Sequence, residues 1–360
     1  MRDSGAFARS VQPNPATADN PTMETDMIEL NGDILQFSFP EVHPDAKLNI
    51  YLKRTFRVPD DGNDYPLPPS LGSFPVRHID DFHKRVPEAW LKRGGVMVPM
   101  YQAEAMWIKL WPTNYINMQG DYPFAVKVAT GKINAISGGP WRKELSRDPQ
   151  DYMVAPPQHY LDGYCVAQGL VRQFVAMPLG SGYSVEEQIT GEAEFGGLQL
   201  LVCPMKREVF ERRFPVKPPE EKKPGILFSF AVGAAQGGSV LEDIYEDPYD
   251  LDDWDAAHSS RCFVQIVNSM LWRSITGMNP PSIPLTAAEY ARLNLPWFET
   301  YEKKSVALKG SRILKGLQSV FGMGREKGDV PFPENESVDA DIVIRYRNGL
   351  RENQVREVEF

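Results

Sequence analysis

Cysteine is scarce in this chain. Cys165, Cys203 and Cys262 are the three in 360 residues, odd in number, far apart and without a Cys-x-x-Cys pair. That pattern reads as buried thiols in a reducing compartment, in preference to a disulfide with a spare cysteine or a zinc site. Long apolar runs are missing too, and nothing approaches the ~18 residues of a membrane-spanning helix. Basic charge is in deficit: 39 Lys and Arg against 48 Asp and Glu give a formal charge of −9. Nucleic acid, which calls for a basic face, is therefore not an expected partner. Several catalytic signatures are also absent. There is no Gly-x-Ser-x-Gly elbow, phosphate-binding Gly-x-x-x-x-Gly-Lys loop, dinucleotide-binding Gly-x-Gly-x-x-Gly or His-Glu-x-x-His, which removes the most readable enzyme classes.

What the chain has in quantity is turn residues, with 31 prolines and 28 glycines. Either is costly inside a helix, so this abundance favours short strands joined by turns. The strand signals are densest between residues 123 and 202. Phe124-Ala125-Val126-Lys127-Val128 and Lys132-Ile133-Asn134-Ala135-Ile136 flank Thr130-Gly131, a tight hairpin pattern. Further β-prone runs cover 152–154, 171–177, 184–190 and 197–202, each bounded by Gly, Pro, Asp or Asn. Upstream, Asn31-Gly32 lies between two alternating runs, and Leu48, Ile50 and Leu52 alternate with Asn49 and Tyr51. The expectation is a mainly β fold: an antiparallel sandwich or jelly roll, with a few short helices in the last third.

Composition divides the chain further. Residues 1–26 are polar, with Pro13, Pro15 and Pro21, and lack the basic-then-apolar order of a signal peptide; a disordered arm and a cytoplasmic location are expected. Residues 27–204 form the β-sheet unit. Residues 205–224 are rich in Pro, Lys and Arg and read as a linker or excursion. Residues 225–360 read as a second β-rich segment packed on the first. Runs at 226–232 and 261–267 look like its buried strands, and those at 341–346 and 355–360 look like a closing hairpin. Ile313, Leu314, Leu317, Val320 and Phe321 make a helical stripe beside Lys309, Arg312 and Lys315. It reads as packing on the sheet, with a membrane-surface helix as the alternative.

Four groups of residues have chemical potential. Glu192 and Glu194, beside Glu186 and Glu187, would share a face if that segment were a strand. Two facing carboxyls ~5–9 Å apart are what glycoside hydrolysis needs. His159, Asp162 and Cys165 sit close in sequence and hold the elements of an oriented base or nucleophile. Residues 242–255 carry Glu242, Asp243, Glu246, Asp247, Asp250, Asp252, Asp253 and Asp255. Such a loop suits calcium, with Asp247, Asp250, Asp252 and Asp253 as ligands, or a basic partner such as the stretch at 206–223; plain solvation is the simpler account. Trp107, Trp111, Trp141 and Tyr164 are candidates for a ligand or glycan platform, or for core.

Several phrases also look familiar together: Tyr65-Pro66-Leu67-Pro68-Pro69, Met100-Tyr101-Gln102-Ala103-Glu104-Ala105-Met106-Trp107, Arg172-Gln173-Phe174-Val175-Ala176-Met177-Pro178-Leu179-Gly180 and Leu295-Pro296-Trp297-Phe298. The chain resembles a set of microbial proteins that share them and have no assigned activity. The resemblance implies one coherent unit over about residues 27–302 and a dispensable N-terminal arm; it implies no catalytic residue. The leading expectation is a non-enzymatic binding or assembly protein with a protein, glycan or second copy of itself as partner. A carbohydrate-active hydrolase and a calcium-stabilised structural protein are the alternatives.

Overall fold

The alternation of apolar and polar residues is realised as strands with one face buried. In the computed structural model, which describes residues 27–112, 121–215, 238–300, 305–330 and 335–346, Leu48, Ile50 and Leu52 are fully buried while Asn49, Tyr51 and Lys53 between them are half-exposed. The strands begin with β1 (Ile28–Asn31), β2 (Ile34–Ser38), β3 (Lys47–Phe56), β4 (Asp64–Tyr65) and β5 (Arg77–His78). Next come β6 (Val96–Met100), β7 (Glu104–Pro112), β8 (Phe124–Thr130), β9 (Ile133–Asn134), β10 (Met153–Ala155) and β11 (Tyr160–Leu161). They are followed by β12 (Gly163–Ala167), β13 (Leu170–Val175), β14 (Leu198–Pro204), β15 (Ser239–Leu241), β16 (Ser260–Asn268), β17 (Trp297–Thr300) and β18 (Val343–Tyr346). The helices are short: α1 (Glu88–Arg93), α2 (Val185–Thr190), α3 (Arg207–Arg213), α4 (Ser269–Thr276), α5 (Ala287–Arg292), α6 (Arg312–Gly316) and α7 (Val320–Lys327).

The fold is mainly β, and two sheets carry it. One runs β1-β2-β3-β7-β13-β15-β4, with β11 on β7 and β12 on β13; the other runs β10-β8-β14-β16-β6-β5, with β9 on β8. Residues of both contribute to a single buried cluster, Ile50, Ile108 and Leu110 from the first and Val126, Leu200 and Val264 from the second. This is a sandwich core. The sheets are mixed rather than purely antiparallel, because β16 runs parallel to β6 and β15 parallel to β4. A third pair, β17 with β18, is also parallel. The partner of the 341–346 strand is thus β17, and residues 355–360 lie outside the described residues. No helix among those described is long and apolar enough to cross a membrane.

The composition shift near residue 205 is not a break in the core. Strands β15 and β16, which follow it, are inserted between strands that precede it, in both sheets. The basic stretch opens as α3, whose Val209 and Phe210 are buried. The expected strand at 226–232 and the N-terminal arm lie outside the described residues. The segment 184–190, expected as a strand, is helix α2, opened by a capping box in which Ser184 Oγ accepts the Glu187 N–H and Glu187 reaches back to the Ser184 N–H. That reciprocal pair satisfies two helix-end donors and outweighs the β propensity of Val185 and Ile189.

Two oppositely charged pairs lie inside the sandwich. Lys127, fully buried on β8, donates to Asp151 at 2.7 Å and to the Arg142 carbonyl at 3.1 Å, tying the 141–151 loop to the sheet. Arg54 on β3 donates through Nε to Glu104 Oε2 on β7 at 2.7 Å, and the Tyr101 N–H donates to Oε1 at 2.8 Å. Burial pushes the Glu104 carboxyl up to about 7, against the pull of Arg54 and the Tyr101 N–H. The folded chain therefore holds a proton that the unfolded chain releases above the ordinary carboxyl range, so this group favours folding at low pH and the advantage is lost as pH rises toward 7. Denaturant titrations at pH 5 and pH 8 are expected to show an unfolding free energy lower at pH 8 by on the order of 1–3 kcal/mol from this group, and Glu104→Gln should flatten that slope. An unchanged slope in the variant would contradict the assignment.

Candidate functional site

Strand β16 is longer than both of its neighbours, and their pairings with it end at different points. Its pairing with β14 ends at Leu198↔Val264, while its pairing with β6 continues through Asn268↔Met100. At this point the chain preceding β14 bends away at Gly197. The φ there is +60°, and a Cβ would come within 2.5 Å of the Val264 carbonyl oxygen, so glycine is required on both counts. The edge of β16 from Gln265 to Asn268 is left open on that side, and a cavity of about 440 Å³ lies beside it. That volume falls within the ~300–1,000 Å³ of ordinary small-molecule pockets.

The walls come from both sheets and from the helices around them. β13 contributes Arg172 and Val175, β12 contributes Tyr164 and Val166, and α6 contributes Leu314. Ile133, Val166 and Leu314 form a buried cluster of their own, with Tyr164, Val185 and Leu317 packed against it. Trp90, Met177, Leu179 and Phe195 extend the apolar surface. The segment 305–330 lies over one side and is held by polar contacts. The Ser311 N–H donates to the Cys165 carbonyl at 2.9 Å, and Ser311 Oγ donates to the Ser137 carbonyl at 2.7 Å. Gln188 of α2 exchanges two hydrogen bonds with the Gln318 backbone.

The polar lining divides into groups already committed and groups free to meet a ligand. Tyr164 donates its hydroxyl to Thr130 at 2.8 Å, and burial, with the Glu186 carboxylate nearby, raises its pKa well above the ordinary phenol value. The hydroxyls of Ser184 and Ser319 cap α2 and α7. Glu186 is 3% exposed, and its Oε2 accepts the Gly196 N–H at 2.9 Å and the Phe195 N–H at 3.2 Å, pinning the loop after α2. Gln265 differs from these. It is 3% exposed, its Oε1 lies against Gly197, and its carboxamide meets no hydrogen-bond partner among the described residues. Arg172 donates Nη1–H to the Leu317 carbonyl at 2.8 Å, and no carboxylate among the described residues lies within 4.0 Å of its guanidinium.

Of the residues singled out in the sequence, Tyr164, Glu186 of the carboxylate cluster, and Leu314, Leu317 and Val320 of the helical stripe lie on this pocket, and the proposed catalytic and metal residues do not. Trp107 is fully buried within the sandwich and offers no contact surface, while Trp111 stacks with the Lys109 ammonium 4.5 Å above its ring. Trp141 is half-buried near Lys127, whose Nζ is 5.8 Å from the ring centroid. Glu192 and Glu194 are exposed in the turn after α2, not on a strand, and Glu194 pairs with Lys132 at 3.7 Å. His159 packs 6.4 Å from Trp111, with burial lowering its pKa. Burial pushes the Cys165 thiol up to about 12, which leaves no thiolate for a Cys–His nucleophile at neutral pH.

The acidic loop acts as a structural fastener. Asp247 is buried and accepts from the Tyr152 hydroxyl at 2.6 Å, the Trp254 Nε1–H at 2.9 Å and the Tyr249 N–H at 2.8 Å. Asp253 is buried against Arg213 at 2.7 Å, with Asp250 3.7 Å from the same guanidinium, so the basic stretch does supply a partner within the chain. Asp252 is exposed. Among the described residues no three His, Cys, Asp or Glu side chains gather as a metal site. Of the carboxylates proposed for calcium, Asp250 and Asp253 share Arg213, Asp247 is engaged by Tyr152, Tyr249 and Trp254, and Asp252 is exposed.

No family model, curated protein or solved structure matches the chain. The pocket's architecture gives a test of its own. Gly131 (φ +54°) faces Glu186, whose Oε2 would lie 2.3 Å from a Cβ. Gly131→Ala is expected to cost about 1–3 kcal/mol in urea denaturation, and less in a Glu186→Ala background. Equal costs in the two backgrounds would show that the carboxylate is not what the glycine makes room for.

Proposed function

We propose that the protein binds a small molecule with a compact, mainly apolar body in the cavity between β13 and the open end of β16. One observation carries this reading: a cavity of about 440 Å³ with largely apolar walls presents a few placed polar groups, among them the Gln265 carboxamide and the Arg172 guanidinium, which makes one hydrogen bond, to the Leu317 carbonyl, among the described residues. Apolar walls with a few placed polar groups are the usual form of a ligand site.

Binding is a better account of this lining than catalysis. Its serine hydroxyls cap helices, its two tyrosine hydroxyls, of Tyr164 and Tyr183, donate to Thr130 and Asp329, and its carboxylate holds two backbone N–H groups. Amides and one guanidinium can orient a ligand, but they do not activate a nucleophile. With 1-aminoanthracene, a neutral fluorescent probe, we expect saturable binding of one molecule per chain with a blue-shifted emission. Ala176→Trp, which places an indole on the cavity wall, is expected to abolish the signal while leaving the melting curve cooperative. No saturable binding, or binding untouched by that substitution, would overturn the reading.

A further inference from the structure

Among the described residues, Arg172 is the cation on the pocket lining. On β13 it stands directly opposite Tyr164 of β12, in register, so the two side chains share one face of the ribbon. It is half-buried, and its Nη1–H is spent on the Leu317 carbonyl at 2.8 Å, which fixes the guanidinium beneath the 305–330 segment. Its Nε–H and Nη2 groups make no hydrogen bond among the described residues, and no carboxylate there comes within 4.0 Å. A guanidinium set beside apolar walls without a counter-ion is an incomplete arrangement, since partial burial weakens its hydration and, among the described residues, the Leu317 carbonyl is its one hydrogen-bond partner.

We propose, on the reading that the cavity is a small-molecule site, that the ligand it selects is a monocarboxylic acid whose carboxylate ion-pairs with Arg172. A carboxylate presents two coplanar oxygens, which match the edge of a guanidinium that still has Nε–H and Nη2 free. A single negative charge suits the lining, because Glu186 contributes a carboxylate to the same cavity and a dianionic phosphate would meet its repulsion with one cation to oppose it. The carboxamide of Gln265 can serve as a second polar anchor, and the apolar walls receive the body of the acid.

The test uses matched pairs that differ only in the head group: decanoate with decanol, and 2-naphthoate with 2-naphthalenemethanol. Affinities are measured by titration calorimetry on the full chain. Each acid is expected to bind about tenfold or more tighter than its alcohol, as a charge-assisted bidentate pair implies. Arg172→Gln should bring acid and alcohol to within about threefold of each other, and Arg172→Lys should restore part of the preference. In the wild-type protein, lowering the pH through the probe's own carboxyl pKa should weaken decanoate and not decanol, a readout that requires no variant to fold. Equal binding of acid and alcohol, a preference surviving in Arg172→Gln, or decyl phosphate outcompeting decanoate would overturn this inference alone, provided 1-aminoanthracene still binds. If neither the pairs nor 1-aminoanthracene binds, the binding function itself falls.

Discussion

The cavity exists because one strand outruns its neighbour. β16 keeps its parallel partner β6 through Asn268 but loses β14 after Val264, where Gly197 brings the chain against the Val264 carbonyl oxygen. A residue with a Cβ could not make that approach, and the chain would have to leave the sheet elsewhere. Because β14 stops there, the space that further strand residues would have filled is lined instead by side chains from β12, β13, α2 and α6. Position, depth and lining of the pocket all follow from this mismatch in strand length.

Around the cavity, polar groups inside the sandwich are spent on fastening loops. Lys127 holds the 141–151 loop, Asp247 gathers Tyr152, Tyr249 and Trp254, and Glu186 holds the turn before β14. Buried charges that each serve two or three donors or acceptors stabilise one loop geometry over others, because any rearrangement strands a charge in apolar surroundings. On the cavity wall, the Gln265 carboxamide and the Arg172 guanidinium fasten less: Arg172 makes one hydrogen bond, to the Leu317 carbonyl, among the described residues.

Much of the strand pattern was legible in the residues. The Asn31-Gly32 and Thr130-Gly131 turns, the alternation through Leu48, Ile50 and Leu52, and the buried cysteines all follow from local chemistry. The helix at 185–190 was legible too, in the Ser184-Val185-Glu186-Glu187 capping box, but β-prone Val185 and Ile189 suggested a strand. Trp107 shows the limit of alternation: β7 is covered on both faces, so a period of two does not separate inside from outside. The acidic loop shows another. Asp247 and Asp252 are alike in composition and opposite in burial, because Tyr152 and Trp254 reach one and nothing described reaches the other.

By itself the sequence determined that this chain would build layered strands joined by glycine and proline turns, since side-chain alternation and turn residues act over a few neighbours. Only the tertiary structure decided which strands meet, that β15 and β16 enter sheets begun earlier in the chain, and that Arg172 and Gln265 line one cavity. Those two residues are separated by most of a hundred positions, and neither carries a local signal of its role. What brings them together is the pairing order of β13 and β16 and the early end of β14. These are set by the packing of the whole core, and no short stretch of residues encodes them.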